Sequence, residues 1–303
     1  MECIACKATK FVKKQTNYIY SDTDFKKIFP NIECVKCMNC KLVQVEMHES
    51  KKIFDEKLTE YYKRDYRSDG KNSLSKKSEE WYRKRGKAIT EVGKEYFSEN
   101  DEINIFEFGA GYGINLDELH KAFPLAKLYT NEINEKCFEN LDNLKINHKE
   151  IADFKKEIDY AILSHVIEHL VYPEEVILDI ARKMRKNGIM YIEVPNNTRG
   201  NMVFIEPHIS FFGKESLYKF YINQLSDEFE LVSLYETGAA LKHTWLNSKA
   251  MIWGKKYLGA TGIYNDIFEK TLEKAKTIEP TRKRDFSKEN KNGLFLKMIL
   301  RKK

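Results

Sequence analysis

Residues 103–113 read INIFEFGAGYG, and this stretch decides the fold. The apolar run from Ile103 to Phe108 contains β-branched and aromatic residues, which is typical of a buried strand. Three glycines at alternate positions follow, and a helical pattern then runs from Ile114 to Ala122. A strand, a glycine turn and a helix in this order place backbone N–H groups beside a nucleotide-like ligand.

The glycine spacing does not fit a dinucleotide-binding fingerprint, which needs a third glycine three residues after the second. Counted from Gly109, that place holds Ile114, and counted from Gly111 it holds Leu116. A nicotinamide-dependent enzyme is therefore disfavoured. With Glu107 two residues before the first glycine, the pattern resembles motif I of the class I S-adenosylmethionine (SAM) methyltransferases. The resemblance implies that SAM is the cofactor and that it is bound by Glu107, Gly109, Gly111 and Gly113.

The segments that follow resemble the same family, in the family's order. KLYTNE at 127–132 predicts a second strand that ends in Glu132, at the spacing at which a carboxylate accepts ribose hydroxyls. In IADF at 151–154 the resemblance implies that Asp153 contacts the exocyclic amine of adenine and Phe154 its ring face, while a surface Asp is the alternative.

IDYAILSHVIEHL at 158–170 resembles motif IV, and GIMYIEVPN at 188–196 resembles the fifth strand. The resemblance implies that Ser164 and His165 border the cofactor. The segment 165–169 also allows a metal site of His165, Glu168 and His169, but family scaffolding is the preferred interpretation of His169.

These segments imply an α/β fold with a Rossmann-like, seven-stranded class I methyltransferase sheet and a small N-terminal zinc-binding domain. In this fold the last strand inserts antiparallel beside the fifth. The expected division is a zinc-binding domain at 1–45, a helical linker and substrate lid at 46–100, and a SAM-binding domain at 101–303 with an insertion at 240–290 as a substrate-side cap.

Composition is consistent with a globular chain of 303 residues, with 42% hydrophobic residues and a net charge of +6. No apolar run approaches the ~18 residues of a membrane-spanning helix, and residues 1–6 lack the features of a signal peptide. We therefore expect a cytoplasmic protein with no membrane partner. The modest positive charge permits an anionic substrate without requiring nucleic acid.

Five of the six cysteines lie within the first 40 residues. In a reducing compartment, clustered C-x-x-C pairs indicate a metal site rather than disulfides. Cys3 and Cys6 form one pair, and the second is either Cys34 with Cys37 or Cys37 with Cys40. CMNCKLVQ at 37–44 resembles the zinc-binding domain that precedes the SAM fold in a group of sugar and natural-product methyltransferases. That resemblance favours Zn²⁺ on Cys3, Cys6, Cys37 and Cys40, in a structural role.

Two further segments resemble that group. Tyr62 and Tyr66 share a helix face and either close over SAM and the acceptor or pack a helix onto the sheet. In EPHISFF at 206–212, the resemblance implies that His208 is the general base, with Glu206 orienting it and Tyr66 assisting. Histidine suits this role because its unperturbed pKa is near neutral. The alternative is a loop histidine that caps the helix predicted at 214–225.

The sequence therefore predicts a SAM-dependent methyltransferase acting on a hydroxyl of a sugar, a nucleotide-linked sugar or another small bacterial metabolite. Carbon methylation is the nearest variant, and methylation of tRNA or protein is more distant. The rival hypothesis is a non-catalytic scaffold that keeps the SAM fold and the zinc-binding domain. The acceptor and the oligomeric state stay open, because fold does not fix function.

Overall fold

The computed structural model describes residues 1–14, 18–20, 22–64, 66, 76–155, 157–198, 204–240 and 293–303. Residues 241–290 of the predicted insertion at 240–290, and residues 65 and 67–75 of the predicted linker and lid at 46–100, lie outside these residues.

An N-terminal unit opens the chain. It contains β1 (Phe11–Lys14), α1 (Thr23–Ile28), β2 (Cys34–Cys37) and β3 (Val43–Val45). Two helices follow, α2 (Lys51–Arg64) and α3 (Lys76–Gly93). The apolar face of α3 packs on the sheet through Ile89 and Val92.

The larger half alternates strands and helices. Its elements are β4 (Asn104–Glu107), α4 (Ile114–Ala122), β5 (Lys127–Thr130), α5 (Phe138–Asn143), β6 (Asn147–His148), β7 (Ile158–Ser164), α6 (Pro173–Lys183), β8 (Met184–Pro195), β9 (Ser210–Phe211), α7 (Lys214–Phe220), β10 (Phe229–Ala240) and β11 (Gly293–Lys302). A π-helical turn, Tyr221–Leu225, extends α7, and short 3-10 turns lie at Glu135–Cys137, Ile151–Asp153 and Ile167–His169.

Seven of the described strands form one mixed sheet in the order β10-β11-β8-β7-β4-β5-β6. The pairs β4–β5, β4–β7, β5–β6 and β7–β8 are parallel. Strand β11 runs antiparallel between β8 and β10, with Met298 opposite Ile192. The predicted Rossmann-like, seven-stranded α/β sheet, with its last strand antiparallel beside the fifth, is therefore confirmed. The carboxyl ends of β4, β5 and β7 meet at one edge, where ligands bind in open α/β sheets.

The N-terminal unit is joined to the larger half by both backbone pairing and packing. β1, β2, β3 and β9 form a second sheet, in which Val43 pairs with Phe211. The Gln224 side chain donates to the carbonyl oxygens of Ile4 and Ala5 at 2.7 and 2.8 Å. The N-terminal unit therefore helps to position the segment that carries His208. Among the described residues, no helix is both long enough and apolar enough to cross a membrane.

Candidate active site

The glycine loop turns the chain sharply between β4 and α4. Gly109, Gly111 and Gly113 all have positive φ, at 63°, 56° and 73°. A Cβ on Gly113 would lie 2.6 Å from Ile146 Cδ1, so both the backbone conformation and the packing require glycine there. Gly109 and Gly111 line a cavity, whereas Gly113 does not, so its role is to hold the turn.

Glu132 lies directly after β5 and binds the glycine loop. Its Oε2 accepts from the Gly111 backbone N–H at 2.7 Å, and its Oε1 accepts from the Asn134 N–H at 2.8 Å. Glu132 is buried and lines the same cavity as Gly111. A carboxylate in this place is suited to accept the hydroxyls of a ribose that lies against the loop.

Glu107 ends β4 beneath the loop. It is 2% exposed, and Asn115 Nδ2 donates to its Oε1 at 2.7 Å. Burial raises the pKa of Glu107 to about 8, against the smaller lowering by the Asn115 hydrogen bond. This environment therefore favours a protonated Glu107, and a ligand cation beside it would favour ionisation.

One cavity of about 410 Å³ joins these groups to the histidines after β7 and to the loop that precedes β9. Most of the predicted site residues line it: Tyr66, Glu107, Gly109, Gly111, Glu132, Ser164, His165, Glu206 and His208. Ser164 Oγ is buried and has no hydrogen-bond partner among the described residues. The fold therefore brings residues from five separate segments to the edge formed by the carboxyl ends of the parallel strands.

Asp153 and Phe154 are not brought to this cavity, contrary to the adenine contacts expected for them. Asp153 ends an exposed 3-10 turn. Phe154 is buried in the core against Phe106 and Tyr129, with ring centroids 5.3 and 5.2 Å apart. The turn directs the aromatic ring beneath the sheet, because burial of the ring among apolar neighbours is more favourable than exposure.

Three histidines surround one buried carboxylate at the far end of the cavity. Glu168 Oε1 lies 3.1 Å from His165 Nδ1, 3.8 Å from His169 Nε2 and 4.0 Å from His208 Nε2. Burial raises the pKa of Glu168, but the hydrogen bond from His165 and the neighbouring histidines outweigh it and lower the pKa to about 2. Glu168 is therefore an anion at neutral pH, and it holds the histidine cluster together.

His208 is held by its backbone as well. Tyr18 Oη donates to the His208 carbonyl oxygen at 2.8 Å, and the His208 N–H donates to the Ile205 carbonyl oxygen at 3.2 Å. Burial and the neighbouring histidines lower the pKa of His208 to about 3, although Glu168 opposes this. The imidazole is therefore neutral at physiological pH and can accept a proton.

Glu206 lines the cavity beside His208, and its carboxylate also joins two distant parts of the chain. Its Oε1 accepts from the Asp22 backbone N–H at 3.1 Å, which ties the loop to the start of α1. The carboxylate that faces the His208 imidazole is Glu168. The orienting role expected for Glu206 stays a prediction, and Glu168 is a second carboxylate near His208 that the sequence analysis did not consider for this role.

Helix α3 contributes a cation that the sequence analysis missed. Arg85 is 3% exposed, and its Nε lies 3.0 Å from Glu193 Oε1. Its guanidinium stacks 3.8 Å from the Trp81 ring centroid and is 2.8 Å from His165 Nε2. Trp81 and Arg85 both line the cavity. Their spacing of four on an amphipathic helix is the only signal in the sequence, and it equally suits packing.

The model of a family described as "Methyltransferase domain" matches residues 81–236, just over half of the 303 residues. This span contains the glycine loop, Glu132 and the histidine cluster. The chain belongs to this methyltransferase family. It is a SAM-dependent methyltransferase.

Three solved structures are similar to the methyltransferase. A SAM-dependent methyltransferase from Thermotoga maritima, described as a possible histamine N-methyltransferase, has 16% identity over 75% of this chain and 95% of its own, with a TM-score of 0.47. A SAM-dependent methyltransferase from Archaeoglobus fulgidus has 17% identity over 72% and 94%, with a TM-score of 0.45. A plantazolicin methyltransferase in complex with a desmethyl analogue and SAH has 15% identity over 82% and 89%, with a TM-score of 0.46. No curated protein matched the sequence.

The methyltransferase also has a cysteine cluster outside the matched span. Cys3 Sγ lies 3.5 Å from Cys40 Sγ, and Cys6 Sγ lies 3.6 Å from Cys37 Sγ. All four sulfurs lie within 4.8 Å of one another. The hydrogen bond from Cys40 lowers the pKa of Cys3 to about 5, against the effect of burial. Four thiols gathered in this way fit the donor set of a tetrahedral zinc site.

Cys34 is separate from this cluster. It lies in a different apolar group, with Tyr18 and Phe25, and burial raises the pKa of its thiol to about 12. Of the two alternatives for the second pair, the structure gathers Cys37 and Cys40 with Cys3 and Cys6.

The structure places both lid tyrosines, Tyr62 and Tyr66, at the cavity. Tyr62 Oη lies 2.8 Å from His169 Nδ1, and the Tyr62 and Tyr66 rings pack edge to face at 5.0 Å. Both tyrosines line the cavity. His169, which the sequence analysis assigned to scaffolding, therefore faces the cavity with a hydrogen-bonded partner.

Proposed function

We propose that the methyltransferase transfers the methyl group of SAM to a hydroxyl of a sugar, a nucleotide-linked sugar or another small bacterial metabolite. The observation that carries the proposal is the single cavity that joins the glycine loop and Glu132 to His208. A cofactor site and a candidate proton acceptor that share one enclosed space are what a transfer reaction on a small acceptor requires.

The residues around the loop fit the parts of SAM. Glu132 would accept hydrogen bonds from the ribose hydroxyls in place of the one that it now accepts from the Gly111 N–H. The backbone of the glycine loop would lie close to the methionine part of SAM. Glu107 would pair with the ammonium group of the methionine part, which would lower the raised pKa of Glu107. When bound, SAM supplies a methyl group on a sulfonium.

His208 supplies the acid–base chemistry in this proposal. The acceptor oxygen forms a bond to the methyl carbon, the sulfur–methyl bond breaks with its electron pair kept by sulfur, and the hydroxyl proton passes to the neutral His208 imidazole. General bases contribute about 10²- to 10⁴-fold to a rate when their pKa lies near the working pH, so the lowered pKa of His208 predicts a contribution at or below the lower end of this range. For a carbon acceptor, the same histidine would take a carbon-bound proton.

The lining of the cavity supports a small polar acceptor. Aromatic rings from Tyr66, Trp81 and Tyr82 provide apolar faces, while His169 and His208 provide hydrogen-bonding groups. Sugars present apolar C–H faces and hydroxyl edges, so this combination suits them. A cavity of about 410 Å³ is also within the usual range for a small-molecule site.

The proposal includes a structural Zn²⁺ on Cys3, Cys6, Cys37 and Cys40. The cluster lies in the same apolar core as Leu217 and Phe220 of α7. Zn²⁺ bound there would hold together the two turns that carry the C-x-x-C pairs. It would also stabilise β3, which pairs with β9.

The test is methyl transfer from radiolabelled SAM to a panel of sugars and nucleotide-linked sugars, together with native mass spectrometry of the purified protein. We expect one zinc per chain, binding of SAM or SAH, and labelling of at least one hydroxylated acceptor. Labelling only of tRNA or protein would overturn the acceptor class. Absence of SAM and SAH binding would favour the scaffold hypothesis.

A further inference from the structure

We propose that Glu168, His169 and His208 form a binding site for a divalent transition-metal cation at the acceptor end of the cavity. One carboxylate and two imidazoles are a donor set for first-row cations that leaves other coordination positions open. The site is distinct from the cysteine cluster, which has only sulfur donors.

The spacing of the three donors suits a cation between them. The ligand atoms lie within 4.8 Å of one another, with Glu168 Oε1 at 3.8 Å from His169 Nε2 and 4.0 Å from His208 Nε2. Ligands bound at about 2.1 Å are separated by roughly 3.0 to 3.4 Å at right-angled to tetrahedral geometry. The two distances from Glu168 exceed this range by about half an ångström, and side-chain rotation would bring the three ligand atoms closer to a bound ion.

The hydrogen bonding of the buried Glu168 carboxylate is incomplete among the described residues. Glu168 is 1% exposed, and its Oε2 has no hydrogen-bond partner among the described residues. A buried carboxylate oxygen without a partner is costly, and a cation would satisfy it. The ring nitrogens of His169 and His208 provide the other donors on the cavity side.

Tyr62 orients one of the imidazoles as a metal site requires. Its Oη lies 2.8 Å from His169 Nδ1. When His169 Nδ1–H donates to this oxygen, the lone pair of Nε2 points toward Glu168. Ligand histidines are usually fixed in this way by a partner on the other ring nitrogen, and loss of that partner weakens metal binding about 10- to 100-fold.

The cation would change how the acceptor is activated. A hydroxyl bound to it would have a lowered pKa and would release its proton to solvent, and the oxygen would then form the bond to the methyl carbon while the electron pair of the broken bond stays on sulfur. With the cation bound, His208 would be one of its ligands and the proton would leave to solvent, whereas without the cation His208 keeps the role of base given in the proposed function. The existence of the site does not depend on which acceptor is methylated.

Binding of Mn²⁺ tests the inference, because Mn²⁺ favours nitrogen and oxygen donors over thiolates. Full-length protein is first saturated with Zn²⁺ at the cysteines and freed of excess metal. Mn²⁺ is then titrated, and the free ion is followed by electron paramagnetic resonance. We expect one equivalent to bind, and binding to weaken at least about tenfold in Glu168→Gln, in His208→Gln and in Tyr62→Phe.

A matched control comes from the exposed cluster of Glu33, Glu46 and His48, which also gathers possible ligands. His48→Ala should leave the bound equivalent unchanged. Thermal unfolding and SAH binding establish whether each variant is folded. If Glu168→Gln does not fold, the Mn²⁺ affinities of Tyr62→Phe and His208→Gln test the inference. Equal Mn²⁺ affinity in the wild type and these variants, or loss of the site in His48→Ala, would overturn the inference.

Discussion

His208 Nε2 lies 4.0 Å from Oε1 of Glu168, a carboxylate that is 1% exposed. The two residues come from different segments, the turn after β7 and the loop before β9, and both segments reach the same cavity edge. We therefore expect Glu168 to orient the His208 imidazole, the role that the sequence suggested for Glu206. The relationship also places a negative charge where either an imidazolium or a bound cation would be stabilised.

Replacement of Glu168 by Gln should lower kcat while it leaves SAM affinity nearly unchanged. The carboxylate lies among the histidines, away from the glycine loop, so its loss removes charge stabilisation at the acceptor end. We expect a decrease of about 10- to 100-fold, which is part of the usual effect of a general base. Steady-state kinetics and calorimetric SAH binding give the two quantities.

The matched variant is Glu206→Gln, because its side-chain oxygen can still accept from the Asp22 N–H. It should have the smaller effect on kcat. A larger decrease in Glu206→Gln than in Glu168→Gln would contradict the assignment and restore Glu206 as the partner of His208.

Replacement of Glu132 by Gln should weaken SAM binding about 10- to 100-fold, because hydrogen bonds to a charged acceptor contribute about 1.5 to 3 kcal/mol. Calorimetry with SAH measures the change. Glu139→Gln, an exposed residue on α5, is the control. Equal affinity in Glu132→Gln and the wild type would remove Glu132 from the cofactor site.

The stability contributed by Glu107 should fall as pH rises. Burial raises its pKa from 4.5 to about 8, so the native protein holds a proton that the unfolded chain has released between these values. Its contribution is therefore complete below pH 4.5 and is lost as pH rises through 8.

The measurement is the Tm of the wild type minus that of Glu107→Gln, without SAM, across this pH range. Gln keeps an oxygen for the Asn115 hydrogen bond but does not titrate. We expect the difference to decrease steadily, whereas a difference that grows with pH would mean that Glu107 is ionised in the empty site.

Replacement of Cys37 by Ser should reduce the zinc content of the purified protein below one per chain and lower its Tm. Cys34→Ala should keep the zinc, since the Cys34 sulfur lies outside the cluster of four. Elemental analysis with thermal unfolding distinguishes them. Retention of zinc in a Cys40→Ser variant with loss in Cys34→Ala would show that Cys34 and Cys37 form the second pair.

Zinc removal should also affect the acceptor end more than the cofactor site. The N-terminal unit reaches the segment of His208 through the pairing of Val43 with Phe211, whereas the glycine loop belongs to the larger sheet. We expect the metal-free protein to bind SAH with near-normal affinity but to transfer methyl groups slowly. A loss confined to SAH binding would contradict this coupling.

The local sequence pattern was sufficient to predict structural features that form within a single segment. The helix predicted at Ile114–Ala122 has those bounds in the structure, and the glycines before it all have positive φ. Local pattern failed at Asp153 and Phe154, where the acidic–aromatic dipeptide fits either a ligand contact or a core-facing turn. Only the packing of Phe154 against Phe106 and Tyr129 distinguishes the two.

By itself, the sequence determined the order of strands and helices, the turn that approaches the cofactor and the short spacing of Cys3 and Cys6, while it left two alternatives for the second cysteine pair. These features depend on backbone conformation and on periodicity over a few residues. Only the tertiary structure decided that Glu168 faces His208, that His169 faces the cavity and that Arg85 reaches His165. Those relationships join residues from separate segments, and such contacts depend on how the whole sheet and its helices pack rather than on any local pattern.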